Sequence, residues 1–421
     1  MALSGWSIQN KIAVAIPAQS SALTNFPILL NIGSSSGTNG LDLTSVFDEL
    51  GSSSLKIAVE NGDTGSECYV EIERWDDTNE EAQIRVKAPS ISSSATTILN
   101  FYFDSSHADN STYVGNIGDA VAQTVWGSNF KAVWHLSQDP TAGGACILDS
   151  TSNANHGTPV GSLTASSPAD ADVGKCLYFD GDGDYISCGD DSSLECSSFT
   201  VTAAVKCATS PASSTGRIVA KGSTAAGDER NYYLFLNEAT NTFTALLENT
   251  ASDVFSADIV TSDVKAWNHF YGTGNQSANT VHAGDDDGNS DFDSFTGTIA
   301  TVSGSDCCIG RISGDPVAGF EGWIRTITIS DTVRSSAWTD AFALSEADDL
   351  CSVSISTIQI TGIIGVDSTV YRPLAISGGI GVYARMTANV YAPDVTVSGI
   401  IGIGASGHQF NQEQPSGLRV V

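Results

Sequence analysis

Cys68-Tyr69-Val70-Glu71-Ile72-Glu73 alternates apolar and polar residues with a period of two. In an extended backbone this puts Cys68, Val70 and Ile72 on one face and Tyr69, Glu71 and Glu73 on the other, as in a strand with one buried face. Strand-like runs surround it: Lys11 to Ile16, Phe26 to Ile32, Leu55 to Val59, Ala82 to Ala88 and Thr97 to Phe103. Asn61-Gly62-Asp63 and Asp76-Asp77-Thr78-Asn79 supply turns, and one short helix is expected at Leu43 to Leu50. The pattern predicts an antiparallel β-sandwich over residues 1–127.

The whole chain of 421 residues has room for about three domains, and 41% hydrophobic residues suffice for a core in each. Charged residues make up only 16%, while Ser, Thr, Gly and Asn are abundant, a balance that suits short strands and many turns. Against 18 Lys and Arg stand 48 Asp and Glu, a net charge of -30, which repels polyanions at long range, so neither nucleic acid nor a bare anionic membrane is an expected partner. No apolar run approaches the roughly 20 residues that span a bilayer, so no membrane insertion is expected. Met1 to Lys11 lacks a basic segment and Pro17 breaks the apolar stretch after it, so a secretory leader is not expected either.

Nine cysteines without a Cys-x-x-Cys spacing indicate neither a zinc site nor a disulfide framework, and buried free thiols are expected. Cys176 and Cys188 flank Asp182 symmetrically, so a hairpin centred there would set them opposite one another. Cys307 and Cys308 are adjacent and point to opposite faces of a strand.

In the first region Trp6, Ala22-Leu23-Thr24-Asn25-Phe26-Pro27, Ile72-Glu73-Arg74-Trp75-Asp76, Val86-Lys87-Ala88-Pro89-Ser90 and Asn100-Phe101-Tyr102-Phe103 form an ordered series. It resembles an uncharacterised bacterial and phage β-domain that commonly precedes a laminin-G-like module. In residues 128–348 a second series follows: Ala132-Val133-Trp134-His135-Leu136, Asp149 to Gly157, Gly174 to Gly181, Asp184-Tyr185-Ile186, Trp267-Asn268-His269-Phe270, Ile309-Gly310-Arg311 and Gly319 to Ile324. It resembles the motifs of laminin-G-like, concanavalin A-like jelly rolls. That resemblance implies a two-sheet sandwich with Trp134, Trp267 and Trp323 packed in its core. Many short strands with Gly and Asp turns agree with it.

Residues 349–421 turn to Ile, Val, Ser and Gly. Ile360-Thr361-Gly362, Ile376-Ser377-Gly378 and Val397-Ser398-Gly399 open three related pieces whose glycines recur after 16 and then 21 residues. Short Gly-rich strands leave edges that one copy hardly covers, so a β-stem, intertwined among three chains, is the expectation, with a strand extension folding back on the second domain as the alternative. The predicted fold class is thus all-β: two sandwiches, the second a jelly roll, and a Gly-rich β-repeat region.

Glu71-Ile72-Glu73-Arg74-Trp75-Asp76 has a weak likeness to the Glu-x-Asp-x-x-Glu strand of jelly-roll glucanases, where alternate carboxylates perform retaining hydrolysis. The later acids are exchanged between Asp and Glu, and solvent-facing strand carboxylates are the expectation. Gly33-Ser34-Ser35-Ser36-Gly37 fits Gly-x-Ser-x-Gly but lies in a Ser-rich loop, away from the strand-to-helix turn a nucleophile needs. Neither Asp180-Gly181-Asp182-Gly183-Asp184 nor Asp285-Asp286-Asp287-Gly288 has EF-hand spacing. The first reads as a turn. In the second, Asp285, Asp286 and Asp287 crowd together as the candidate cation-binding loop, with weak calcium binding as the one cofactor to consider. Related laminin-G-like modules hold calcium between the loop matching Asp149 to Gly157 and a later acidic pair. Here Arg325 and Thr326 stand where the pair is implied, and a pairing of Asp149 with Arg325 is expected in its place. Tyr232, Tyr233, Phe235 and Tyr271 are candidates for a sugar platform.

Modules of these kinds usually work outside cells. The expectation is a non-enzymatic phage virion protein, a tail fibre or capsid projection, with other virion proteins and host glycans as partners. A secreted or surface adhesion protein of bacteria is the alternative, and a polysaccharide-degrading enzyme the third reading.

Overall fold

The computed structural model describes residues 10–355 apart from 164–167, 172, 209–214, 224–229 and 315–318, together with residues 3, 5 and 6 and two short strands, Ile376–Ser377 and Val397–Ser398. Two compact units divide the chain, Met1–Ile355 and Ser356–Val421.

The first unit is all-β and holds two sandwiches. In the first sandwich a five-stranded sheet runs in the order Ser352–Ile355, Lys11–Ile16, Thr97–Phe103, Ile57–Asn61, Glu67–Cys68. A four-stranded sheet, Leu23–Ile32, Glu81–Ile91, Val70–Asp76, Val114–Asn116, packs against it. Alternation decides which residues enter the core: Ile12, Val14 and Ile16 from one sheet meet Ile28, Leu30, Ile84 and Val86 from the other. The helix Ser45–Leu50 forms where the sequence places it, burying Val46, Phe47 and Leu50. The edge strand Ser352–Ile355 lies beyond the expected break at residue 348, so the first sandwich is completed by chain that follows the second.

The second sandwich packs a seven-stranded sheet, Thr158–Val160, Tyr185–Ser187, Cys307–Ile309, Thr215–Gly222, Arg230–Asn237, Thr242–Glu248, Val254–Val260, on an eight-stranded one. The latter runs Pro168–Asp170, Lys175–Asp180, Glu321–Ser330, Phe199–Cys207, Asn268–Asn275, Thr280–Asp285, Ser290–Ser294, with Phe130–Trp134 paired to the far half of Glu321–Ser330. Lys175–Asp180 and Tyr185–Ser187 fall in opposite sheets. Asp180 to Asp184 therefore carries the chain between sheets, and the expected hairpin opposing Cys176 to Cys188 does not form. Cys188 instead lies beside Cys307, whose carbonyl accepts its backbone N–H at 2.8 Å.

After the last strand of the jelly roll comes the helix Ser336–Glu346, capped by Ser335, whose hydroxyl accepts the Trp338 N–H. It lies on the first sandwich. Trp338 and Phe342 stack at 4.9 Å and meet Phe26 edge-on at 5.6 and 6.4 Å.

In the second unit the two short strands pair in parallel, Ile376 with Val397 and Ser377 with Ser398, which are equivalent positions of two repeats. The rest of the repeat region, and with it the expected stem, lies outside the described residues. Among the described residues no helix is long and apolar enough to cross a membrane.

Candidate functional site

The strand Val70–Asp76 has the predicted inward face, Val70 and Ile72 in the core. Its other face does not meet solvent. Glu71 is 0% exposed and Glu73 3% on its side chain, because the outer face of the four-stranded sheet is covered by the second sandwich and the helix Ser336–Glu346. Carboxylates this deep require charged or donor partners. Glu71 Oε2 accepts the Trp126 indole N–H at 2.6 Å and lies 3.3 Å from His135 Nε2. The other nitrogen of His135 lies 3.3 Å from Glu73, and Glu73 takes Arg85 Nε at 2.9 Å and Nη2 at 2.8 Å.

From Arg85 the chain of contacts crosses to the helix. Its guanidinium forks onto both oxygens of Glu346, with Nη2 to Oε2 at 3.2 Å. Arg325 donates to the Glu346 carbonyl at 2.7 Å, to the Val173 carbonyl at 2.9 Å and to His269 Nε2 at 3.0 Å. Because guanidinium only donates, His269 Nε2 must accept. Its proton then sits on Nδ1, 3.0 Å from Asp286 Oδ2. Burial opposes the Glu346 charge, but Arg85 and then Arg325 overcome it and hold its pKa at about 2. Gly174 lets the backbone close against the first sandwich: at its φ of +69° a side chain is strained, and a Cβ would stand 3.1 Å from Gln83.

The residues singled out by sequence fall on both sides of this network. Arg325 belongs to it. Asp149, 0% exposed, belongs to a loop lock: Oδ1 accepts the N–H groups of Val133 and Thr151 at 2.9 Å, and Oδ2 accepts the Thr151 hydroxyl at 2.8 Å and the Asn155 N–H at 2.9 Å. These four donors fill the four lone-pair positions of the carboxylate, so Asp149 does not fit the calcium role implied by the jelly-roll resemblance. The structure thus gives Asp149 and Arg325 separate sets of partners. Asp285 accepts from Asn289 at 2.8 and 2.9 Å, Asp286 serves His269, and Asp287 accepts the Ser262 hydroxyl at 3.0 Å. Three neighbouring carboxylates therefore serve three separate partners. Among the described residues no group of three His, Cys, Asp or Glu side chains is arranged to hold a metal ion. In the Gly-x-Ser-x-Gly loop the serine of the pattern, Ser35, is exposed, and the buried hydroxyl beside it, Ser36 Oγ, bonds the backbone N–H and carbonyl of Gly33 and shapes a turn.

The aromatic expectations divide. Trp134 is fully buried, its indole N–H on the Asn155 carbonyl at 2.7 Å. Trp267 and Trp323 are half-buried and stand on the outer face of the eight-stranded sheet, a correction to their expected core positions. Alternation requires it, since Ile324 and Phe270 take the inward places. Trp323 pairs across the sheet with Tyr178, ring centroids 5.0 Å apart, and with Lys206, whose Nζ lies 5.6 Å from its ring. Of the proposed platform residues, Tyr232 is in the core, Tyr233 and Tyr271 are 2% and 7% exposed, and Phe235 is half-buried under Arg217 at 4.6 Å.

No protein-family model matches the chain, and no curated protein matches it. Among solved structures it is similar to the CBM40 of Ruminococcus gnavus IT-sialidase bound to α2,3 sialyllactose, at 13% identity over 40% of this chain and 96% of that one, TM-score 0.33. Domain 4 of AbnA, a GH43 extracellular arabinanase from Geobacillus stearothermophilus in complex with arabinotriose, shares 16% identity over 51% and 98%, TM-score 0.38. The binding domain of botulinum neurotoxin serotype G shares 10% over 52% and 51%, TM-score 0.36.

Proposed function

We propose that the protein is a non-enzymatic adhesive component of a phage particle, a tail fibre or capsid projection, whose second sandwich contacts glycans of the host surface. The observation that carries the non-enzymatic part is the fate of Glu71 and Glu73. This strand pair has the alternation that carboxylate catalysis requires, yet it is sealed between the sandwiches and matched to His135 and Arg85. An acid and base for hydrolysis must reach substrate, and these do not. The phage assignment rests on the sequence resemblance of the first sandwich and on an acidic, soluble surface suited to an exposed projection. The Gly-rich region then joins copies of the chain.

Immunogold labelling of purified particles tests the location, with label expected on surface projections. Light scattering of the full chain against a chain ending at Ile355 tests the stem, with a trimer expected only for the full chain. Release of reducing ends from host envelope polysaccharide, abolished by Glu71→Gln, would defeat the reading in favour of an enzyme.

A further inference from the structure

We infer that the outer face of the eight-stranded sheet, at Tyr178, Trp323, Lys206 and Trp267, is a binding site for neutral oligosaccharides. This assignment rests on the adhesive reading above and gives it a site and a ligand class.

The four residues form one row across neighbouring strands. Tyr178 is opposite Trp323, and Trp323 is opposite Lys206. Val205 is opposite Asn268, so Trp267, one residue earlier, comes next in line. Gly322 allows the strands this approach: its φ is +149°, and a Cβ there would stand 2.3 Å from the Lys206 carbonyl oxygen. All four side chains are half-buried, packed at the base and in contact with solvent. Packing does not account for rings at these positions, because the core on the other side of the sheet is filled by Leu177, Phe179, Ile324 and Val205.

A row of rings, Tyr178 and Trp323 inclined at 55° to one another, suits a ligand that offers an apolar face and a polar rim. Pyranose rings have this form: their C–H groups lie against an aromatic face while their hydroxyls need donors and acceptors around it. Lys206 supplies a donor within the row. Two residues along the strand from Trp323, on the same face, Glu321 pairs across the sheet with Asp180, and these carboxylates supply acceptors. Their charge also selects. With Asp180 and Glu321 at the rim and a chain charge of -30, sialylated or other anionic sugars are repelled and neutral ones are not. In the other direction the face continues into Arg325, whose guanidinium carbon lies 5.9 Å from the Trp267 ring and which the junction network holds in place. Trp323 is held between Tyr178, at 5.0 Å, and Lys206, at 5.6 Å, which lowers the ordering that binding has to impose on it.

The test applies the full chain to an array of neutral and sialylated oligosaccharides, alongside Trp323→Ala, Lys206→Ala, Phe235→Ala and Phe292→Ala. Phe292 is 68% exposed at the far edge of the same sheet, and Phe235 lies on the opposite sheet. Saturable binding of neutral glycans is expected, weakened about tenfold by Trp323→Ala and less by Lys206→Ala, with melting temperatures unchanged. Lys206→Ala leaves every ring in place, so its loss of binding cannot be assigned to a lost fold. Binding unchanged in both variants but lost in Phe235→Ala or Phe292→Ala overturns the site and leaves the adhesive reading standing. Binding of sialylated glycans alone overturns the ligand class. A change of molar mass in Trp323→Ala shows a self-association face and overturns the site. A wild-type chain that binds no glycan defeats the glycan-binding reading itself.

Discussion

Arg85 and Glu346, 261 residues apart in the chain, meet as a forked ion pair with each side chain 1% exposed. The pair ties the first sandwich to the second, since Arg85 also donates to the Thr326 hydroxyl at 3.3 Å and the Glu346 carbonyl accepts Arg325 at 2.7 Å, both on the strand Glu321–Ser330. Removing one member leaves the other charged and dry. Arg85→Met and Glu346→Gln are each expected to cost about 3–5 kcal/mol, read as a lower urea midpoint of the full chain. A loss below about 1 kcal/mol would show that water enters the junction and satisfies the remaining charge.

The same pair sets an acid limit. The Glu346 pKa is lowered from 4.5 to about 2 in the folded chain, so unfolded chains take up its proton first as pH falls. Its stabilisation is complete above about pH 4.5 and disappears as pH falls towards 2. Melting curves from pH 5 to 2 should fall less steeply for Glu346→Gln than for wild type. Parallel slopes would mean that this carboxyl does not control the acid limb.

Asp348 acts with the opposite sign. Burial raises its pKa from 3.8 to about 6, although the Gly37 N–H and the Asn31 amide both donate to its carboxylate. The folded chain therefore holds a proton that the unfolded chain has released, and this contribution is lost as pH rises through about 6. Asp348→Asn should flatten the decline in melting temperature between about pH 4 and 6. If the variant keeps the wild-type slope, the decline comes from elsewhere in the acidic chain.

Eight of the nine cysteines are buried, and only Cys146 is partly accessible. Burial pushes the thiols of Cys68, Cys196, Cys307 and Cys351 up to about 12, which suppresses the reactive thiolate. A thiol reagent at pH 8 should label Cys146 alone in the native chain, with the other eight following on denaturation. Rapid labelling of several thiols before unfolding would contradict the sealed cores.

Strand identity was legible wherever one face met a core: Cys68, Val70 and Ile72 all turn inward as their alternation implies. The run is not one strand, however, because Cys68 ends Glu67–Cys68 of the five-stranded sheet and the chain crosses at Tyr69 to Val70–Asp76 of the four-stranded one. The outward face was not legible. Glu71 reads as a solvent-facing acid because nothing near it in sequence announces a cover that arrives with Glu346. Trp323 shows the converse. A tryptophan in an apolar strand reads as core, yet its neighbour Ile324 takes the inward position, and only the sheet register reveals this. For Asp149, the loop residues that would surround a cation also supply donors enough to replace it, and letters alone do not distinguish the two.

The strand Ser352–Ile355 has a consequence for biosynthesis. Lys11–Ile16 leaves the ribosome well before one of its two neighbours, Ser352–Ile355, which is made only after the entire jelly roll. The two strands lie 336 residues apart, so at ~5–20 residues per second a nascent chain spends roughly twenty to seventy seconds with that flank open to stray partners. Completion of the first sandwich is therefore deferred until the second has been made, and chaperone demand should peak in this interval of translation.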